Sequence, residues 1–323
     1  MSMKNSPVLI PVLFFLLLFF KQGRGQQLPN QSFTYLTSDQ IKIPVKVSGK
    51  GFPCMFVPGG PGGGYISFEK LGGSALEKGL TMIYMDQRGS GSAQISANYS
   101  IDRILKDMDE IRAKLHIEKM YLLAHSFGGI ILINYAQKYP EHIKGLILAN
   151  STLHFFDEDA TIEQIQFGYH VLGKDTIIKM QPQDSLIKED LEVRQKMSHE
   201  HCGYKLLTDS PGTIKQLNML DSMYPRTNDF AYNIMVHIFD NTKPIRYPEY
   251  FADYRPLSAK IKTSVLVISG SSEHAIGMNH YKGFKFPNQR TVIINGGHLL
   301  YYEKNKEFVS AVHQFINEVS IGG

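Results

Sequence analysis

Short apolar runs separated by stretches of helical spacing dominate the chain. Phe33 to Val47 alternates apolar and polar residues as an antiparallel hairpin does. Cys54 to Val57, Thr81 to Met85, Tyr121 to Ala124, Leu146 to Ala149, Val265 to Ser269 and Val292 to Asn295 read as buried strands. Between most of them the period changes. Ile101, Ile104, Leu105, Met108, Ile111 and Leu115 fall on one helix face, and Phe308 to Val319 repeats the pattern near the C-terminus. Strands alternating with helices predict an α/β fold built on a doubly wound, mostly parallel sheet. The alternation stops over residues 151–256, which are rich in Gln, Lys, Asp, Met and Tyr. This segment is expected to be an inserted helical cap that divides a core of residues 26–150 and 257–323. It should sit over the carboxyl ends of the strands, where ligands bind in such sheets.

The first residues follow a different pattern. Lys4 supplies a positive charge, Pro7 to Phe20 is an unbroken apolar run, and Gly23-Arg24-Gly25 places small residues at a cleavage spacing. The run is shorter than the ~20 residues of a spanning helix. Residues 1–25 are therefore expected to be a signal peptide, giving an exported protein, periplasmic or extracellular, without stable membrane association after cleavage. Composition adds little to this: 323 residues, 43% hydrophobic and 20% charged, suit one large domain with an insertion or two domains, and do not suit disorder. Lys plus Arg exceed Asp plus Glu by 34 − 30 = 4, without a dense basic run, which argues against nucleic-acid binding. Of the two cysteines, Cys54 lies in an apolar strand and Cys202 in the polar insertion. A disulfide is one reading in an oxidising compartment, but burial as small apolar side chains is the better one.

The candidate chemistry centres on Leu122 to Ile130, L-L-A-H-S-F-G-G-I, which puts Ser126 at a sharp turn between a strand and a helix. Such a turn exposes a serine hydroxyl above the sheet and sets the next amide beside the helix N-terminus. Alone the pattern is weak, since a plain strand-to-helix loop fits it as well. Two further groups follow in order: Glu273 and His298, each directly after an apolar run. Serine, acid, histidine is the chain order of one known triad arrangement. In it His298 is the general base and Glu273 fixes its tautomer, with a surface role for Glu273 as the alternative. Pro58-Gly59-Gly60-Pro61-Gly62-Gly63-Gly64 follows another strand, and its backbone is placed to supply half of an oxyanion hole through Gly60, with Phe127 supplying the other half. It lacks the Lys-Ser/Thr ending of a phosphate-binding loop. Asp86-Gln87-Arg88-Gly89 is assigned to bracing a turn. His199-Glu200-His201-Cys202 places adjacent side chains on different helix faces, so no metal site is expected.

At these residues the chain resembles the prolyl aminopeptidase (proline iminopeptidase) group of serine peptidases with the α/β-hydrolase fold. Pro58 to Gly63 is similar to that group's H-G-G-P-G-G with proline in place of histidine, and Asp86 to Ser92 to its D-Q-R-G-x-G-x-S. The elbow Ala124 to Gly129, the segment Tyr139-Pro140-Glu141-His142 and Val265 to Glu273 also match. Departures are Pro58 for His, Ala124 for Gly and Glu273 for Asp. The resemblance implies release of N-terminal proline or other residues from short peptides through an acyl-enzyme, without metal or organic cofactor. It further implies cap carboxylates that hold the free amine, for which Glu192 and Asp240 are the candidates. A carboxylesterase or lactonase with the same triad, or a non-catalytic binding protein on this scaffold, are the alternatives.

Overall fold

The computed structural model describes residues 28–224, 227–240 and 242–321, so the expected signal peptide lies outside the described residues. Eight strands form one sheet: β1 Gln31–Leu36, β2 Lys42–Gly49, β3 Phe52–Val57, β4 Leu80–Met85, β5 Met120–Ser126, β6 Ile143–Ser151, β7 Val265–Gly270 and β8 Gln289–Ile294. Their spatial order is β1-β2-β4-β3-β5-β6-β7-β8. The expected hairpin is β1 with β2, and β2 also runs antiparallel to β4. All other pairs are parallel.

The helices are α1 Ile66–Lys70, α2 Ile101–Lys114, α3 Gly128–Lys138, α4 Glu158–Val171, α5 Gln183–His199, α6 Pro211–Met223, α7 Asp229–Phe239, α8 Arg255–Ser258, α9 Leu300–Glu303 and α10 Asn305–Ile321. Period-two alternation along the central strands feeds two separate cores. Met55 and Val57 of β3, and Leu122 and Ala124 of β5, join Ile104, Met108 and Ile111 of α2 and Ile130 to Ile133 of α3. Their neighbours Cys54, Phe56, Tyr121 and Leu123 face the other way, toward Phe68 of α1 and Phe308, Val312 and Phe315 of α10. Strands covered on both faces have no polar side, which is why β3, β4, β5 and β7 read as continuous apolar runs. Cys54 is buried there with its thiol pKa pushed up by desolvation, and Cys202 is a free, half-buried thiol. The last strand starts earlier than the expected Val292 to Asn295. At the sheet edge, half-buried Gln289 and Arg290 pair with Val265 and Leu266, and an apolar criterion misses such residues.

Between β6 and β7 the chain forms α4 to α8. Here α4 and α5 pack through Ile165, Leu186, Val193 and Met197 into a core of their own. Side-chain caps start two of these helices: Asp157 accepts from the Ala160 amide at 2.8 Å, and Ser210 from the Thr213 amide at 3.2 Å. Among the described residues no helix is long and apolar enough to cross a membrane.

Candidate active site

The strand order reverses at β3, because the chain passes from β4 on one side of it to β5 on the other. A crevice forms outside the carboxyl ends of strands at such a reversal. The segments that leave β3 and β5 carry Gly59-Gly60 and Ser126-Phe127, and these four residues line one cavity of about 570 Å³ together with His125 and His298.

Ser126 closes β5 in a left-handed conformation, φ +55°, two residues before α3 begins. That conformation costs an L-residue roughly 1–2 kcal/mol, and close packing around it holds it in place. A Cβ on Gly128 would lie 2.4 Å from the Val57 carbonyl oxygen, and one on Gly59 would lie 2.7 Å from Cβ of Ser126. The sharp turn and the adjacent glycine loop therefore need those two glycines. Ala124, where the pattern favours glycine, is fully buried in the core and its methyl is accommodated.

Glu273 is fully buried, and its carboxylate is fully used. One oxygen lies 2.8 Å from Nδ1 of His298, and the other accepts from the amides of Ala275 at 2.9 Å and Ile276 at 3.3 Å. This geometry puts the proton of a neutral His298 on Nδ1 and leaves Nε2 as the basic nitrogen. The Ser126 hydroxyl has no hydrogen-bond partner among the described residues, and such contacts commonly tighten only around a bound substrate. The Gly60 amide likewise has no acceptor among them.

Several residues that the apolar pattern did not mark hold this arrangement. The Asn150 side chain donates to the carbonyls of Gly297 and His298, and accepts from the Gly270 amide. His125 Nε2 donates to the His298 carbonyl at 3.0 Å, and its pKa is pushed down to about 3 by burial and by the neighbouring His298. From the insertion, the Leu207 carbonyl accepts from the His298 amide at 2.9 Å. Asn150 did carry a signal, a polar residue directly after an apolar strand, the position that marked Ser126, Glu273 and His298. The segment Asp86 to Ser92 is structural. The Asp86 carboxylate accepts from the amides of Tyr65 and Ser92, and buried Arg88 pairs with Asp107 and Asp39. Gln87 donates to the Pro58 carbonyl, steadying the loop at the position where proline replaces histidine.

Glu192 and Asp240 are not brought to the cavity. Glu192 is exposed on α5, and Asp240 lines a neighbouring groove on the insertion. For Glu192 the reason is helical phase: residues 187, 190, 191 and 194 of α5 face the cavity, and residue 192 points away. The carboxylate that does line it is Asp190, 2.6 Å from the Arg194 guanidinium; burial raises its pKa and Arg194 opposes the rise. Arg194 also donates to Gln164, which donates in turn to the Ala275 carbonyl beside Glu273. His199 and Glu200 are exposed surface groups. Among the described residues His154, Asp157 and Glu158 place ligand-type atoms within 4.8 Å of one another, but Asp157 already caps α4 and pairs with Arg255.

Residues 53–305 match the family model described as alpha/beta hydrolase fold, and the chain belongs to that family. A proline iminopeptidase of Lactobacillus helveticus is 35% identical over 104 residues, 31% of this chain and 35% of its own length, so the chain matches about a third of that relative. A proline iminopeptidase of Flavobacterium johnsoniae is 24% identical over 279 residues, 82% of this chain and 90% of the relative. Among solved structures, a proline iminopeptidase-related protein of Thermus thermophilus superposes with a TM-score of 0.69 at 16% identity. It covers 90% of this chain and 99% of its own, a likeness of fold.

Proposed function

We propose that this member of the alpha/beta hydrolase family is a serine hydrolase that works through an acyl-enzyme and releases N-terminal residues, proline foremost, from short peptides. The observation that carries the reading is the buried His298–Glu273 pair opening on the cavity that holds Ser126. In the first half-reaction the Ser126 hydroxyl attacks the substrate carbonyl and its proton passes to His298 Nε2. Glu273 keeps the Nδ1 proton in place and offsets the imidazolium charge. The amides of Gly60 and Phe127 hold the oxygen that becomes negative, where preorganised donors matter most. His298 then gives its proton to the leaving amine, and water repeats the sequence to free the acyl group. The choice of peptide substrates rests on the iminopeptidase relatives and on Asp190, a carboxylate in the cavity wall able to face an ammonium group.

A second reading, a carboxylesterase or lactonase, draws on the ion pair of Asp190 with Arg194, which already neutralises that charge. One panel separates the two. Proline arylamide, its N-acetylated form and short-chain aryl esters are compared at equal concentration, with fluorophosphonate labelling of Ser126 as the control for catalysis. Rapid cleavage of the free-amine arylamide supports the first reading, and turnover of esters alone supports the second. Failure of Ser126 to label sinks both and leaves a binding protein.

A further inference from the structure

The catalytic cavity does not end at the insertion. A groove of about 810 Å³ lies between α5, α7 and the segment Pro248–Phe251. Phe156, Ile187, Leu191, Ile238 and Phe239 line both the groove and the cavity of Ser126. They come from three separate stretches of chain and surround the junction. On α5 a single face runs from Gln183 and Asp184 in the groove, through Ile187 and Leu191, to Asp190 and Arg194 in the cavity. At ~1.5 Å per residue that face is about 16 Å long.

Resting on the serine hydrolase reading above, the geometry points to a continuous trough that takes a substrate carrying an extended alkyl or aryl chain, threaded between α5 and α7. Every residue at the junction is apolar, so a hydrocarbon chain gains contact there along its whole length, whereas a peptide backbone meets no side-chain hydrogen-bonding group. Charge at the outer end does not favour an ionic head group: Lys188 and Lys243 line the groove beside Asp184 and Asp240, and the signs balance. Phe239 at the junction is 71% exposed and Ile245 in the outer groove 55%, apolar surface that such a chain would cover.

The test uses the full-length protein and a series of n-alkylboronic acids from ethyl to decyl. The Ser126 oxygen adds to the empty orbital of boron as its proton passes to His298, giving an anionic four-coordinate boronate, while the alkyl tail lies wherever the protein accepts it. Inhibition constants should fall roughly two- to fourfold per added methylene, the range set by burying one such group. Leu191→Trp, which fills the junction, and Ile245→Asp, which charges the outer groove, should each flatten that dependence, read as the ratio of decyl to ethyl affinity. Ile245 lines the groove alone and is exposed, so its replacement tests the trough in a protein that keeps its core. Affinity that is flat beyond butyl in the parent protein overturns the trough, as does a chain-length gain that both variants retain. If no boronate of any length inhibits, the catalytic role of Ser126 itself fails, an outcome distinct from the other two.

Discussion

The side-chain amide of Asn150 donates to the backbone carbonyl of His298 at 3.0 Å, joining the end of β6 to the loop after β8 across the whole insertion in sequence. The same nitrogen reaches the Gly297 carbonyl at 2.9 Å, and the Asn150 oxygen accepts from Gly270 at 2.8 Å. One buried side chain thus fixes the strand end that leads to Glu273 and the loop that carries His298. On the serine hydrolase reading, Asn150 acts as a positioning residue. Asn150→Ala should lower kcat by roughly tenfold to a hundredfold with KM within a few-fold, because His298 and Glu273 are displaced while the cavity walls remain. It should also cost about 1–3 kcal/mol in denaturant titration, since the partner groups are left buried and unpaired. Unchanged kcat with reduced stability would make its role structural only.

Ser126 combines a reactive position with an unfavourable backbone, and two substitutions separate these properties. Ser126→Ala and Ser126→Gly should both lose at least about a thousandfold in turnover. Glycine takes φ +55° without steric cost, so Ser126→Gly should be the more stable of the two by roughly 0.5–1 kcal/mol after its own entropy loss is counted. Parallel melting curves measure the difference. If the alanine variant melts higher, the turn is not strained, and residual activity near the parent's removes Ser126 from the chemistry.

His125 is buried and held neutral, with its folded pKa near 3 against an ordinary value of 6.5. Between those values the unfolded chain binds a proton that the folded protein refuses. The associated stability is therefore complete above about pH 6.5 and is lost as pH falls toward 3, at up to ~1.4 kcal/mol per pH unit. His125→Gln retains a donor for the His298 carbonyl and has nothing to titrate, so its stability should fall less steeply over that window. Urea midpoints measured from pH 7 to pH 4 provide the check, and parallel acid limbs in parent and variant would refute the assignment.

The fold was largely legible because buried parallel strands are apolar on both faces, so Cys54 to Val57, Tyr121 to Ala124 and Val265 to Ser269 stand out against amphipathic helices. Edge strand β8 was less so, since half-buried Gln289 and Arg290 do not announce a strand. At the site, Ser126, Glu273 and His298 were visible by their places after apolar runs, and the structure groups Ser126 and His298 on one cavity with Glu273 behind His298. Leu207 was invisible in principle, because what it contributes is a backbone carbonyl that any residue possesses. Glu192 and Asp240 lie off the cavity, Glu192 for a reason of its own. Choosing a carboxylate on a helix requires its phase about the axis, and a shift of two residues, from 192 to 190, carries a side chain more than halfway around the helix to the opposite face.

Glu273→Gln tests the orienting role. The buried amide cannot offset an imidazolium, and its NH2 group would face either His298 or the amides of Ala275 and Ile276, which already donate there. Turnover should fall about 10²- to 10⁴-fold with substrate affinity little changed. Full activity in Glu273→Gln would assign the orienting group to another residue.

On the aminopeptidase reading, the specificity of the cavity turns on Asp190, whose only charged partner among the described residues is Arg194. If substrates arrive with a free amine, that ammonium must compete with the guanidinium for the carboxylate, and in a partly closed cavity the exchange rewards a cation and penalises a neutral acetylated nitrogen. Asp190→Asn should then lower kcat/KM for proline arylamide at least about tenfold while changing the acetylated substrate much less. Glu192→Ala and Asp240→Ala should leave both within about twofold, because those carboxylates lie off the cavity. Asparagine also releases Arg194, which should improve substrates that carry a carboxylate near the scissile bond. The comparison has a decisive outcome in the parent protein as well: equal cleavage of free and acetylated arylamides means that the paired Asp190 never yields to a substrate amine, and the esterase reading replaces the aminopeptidase one.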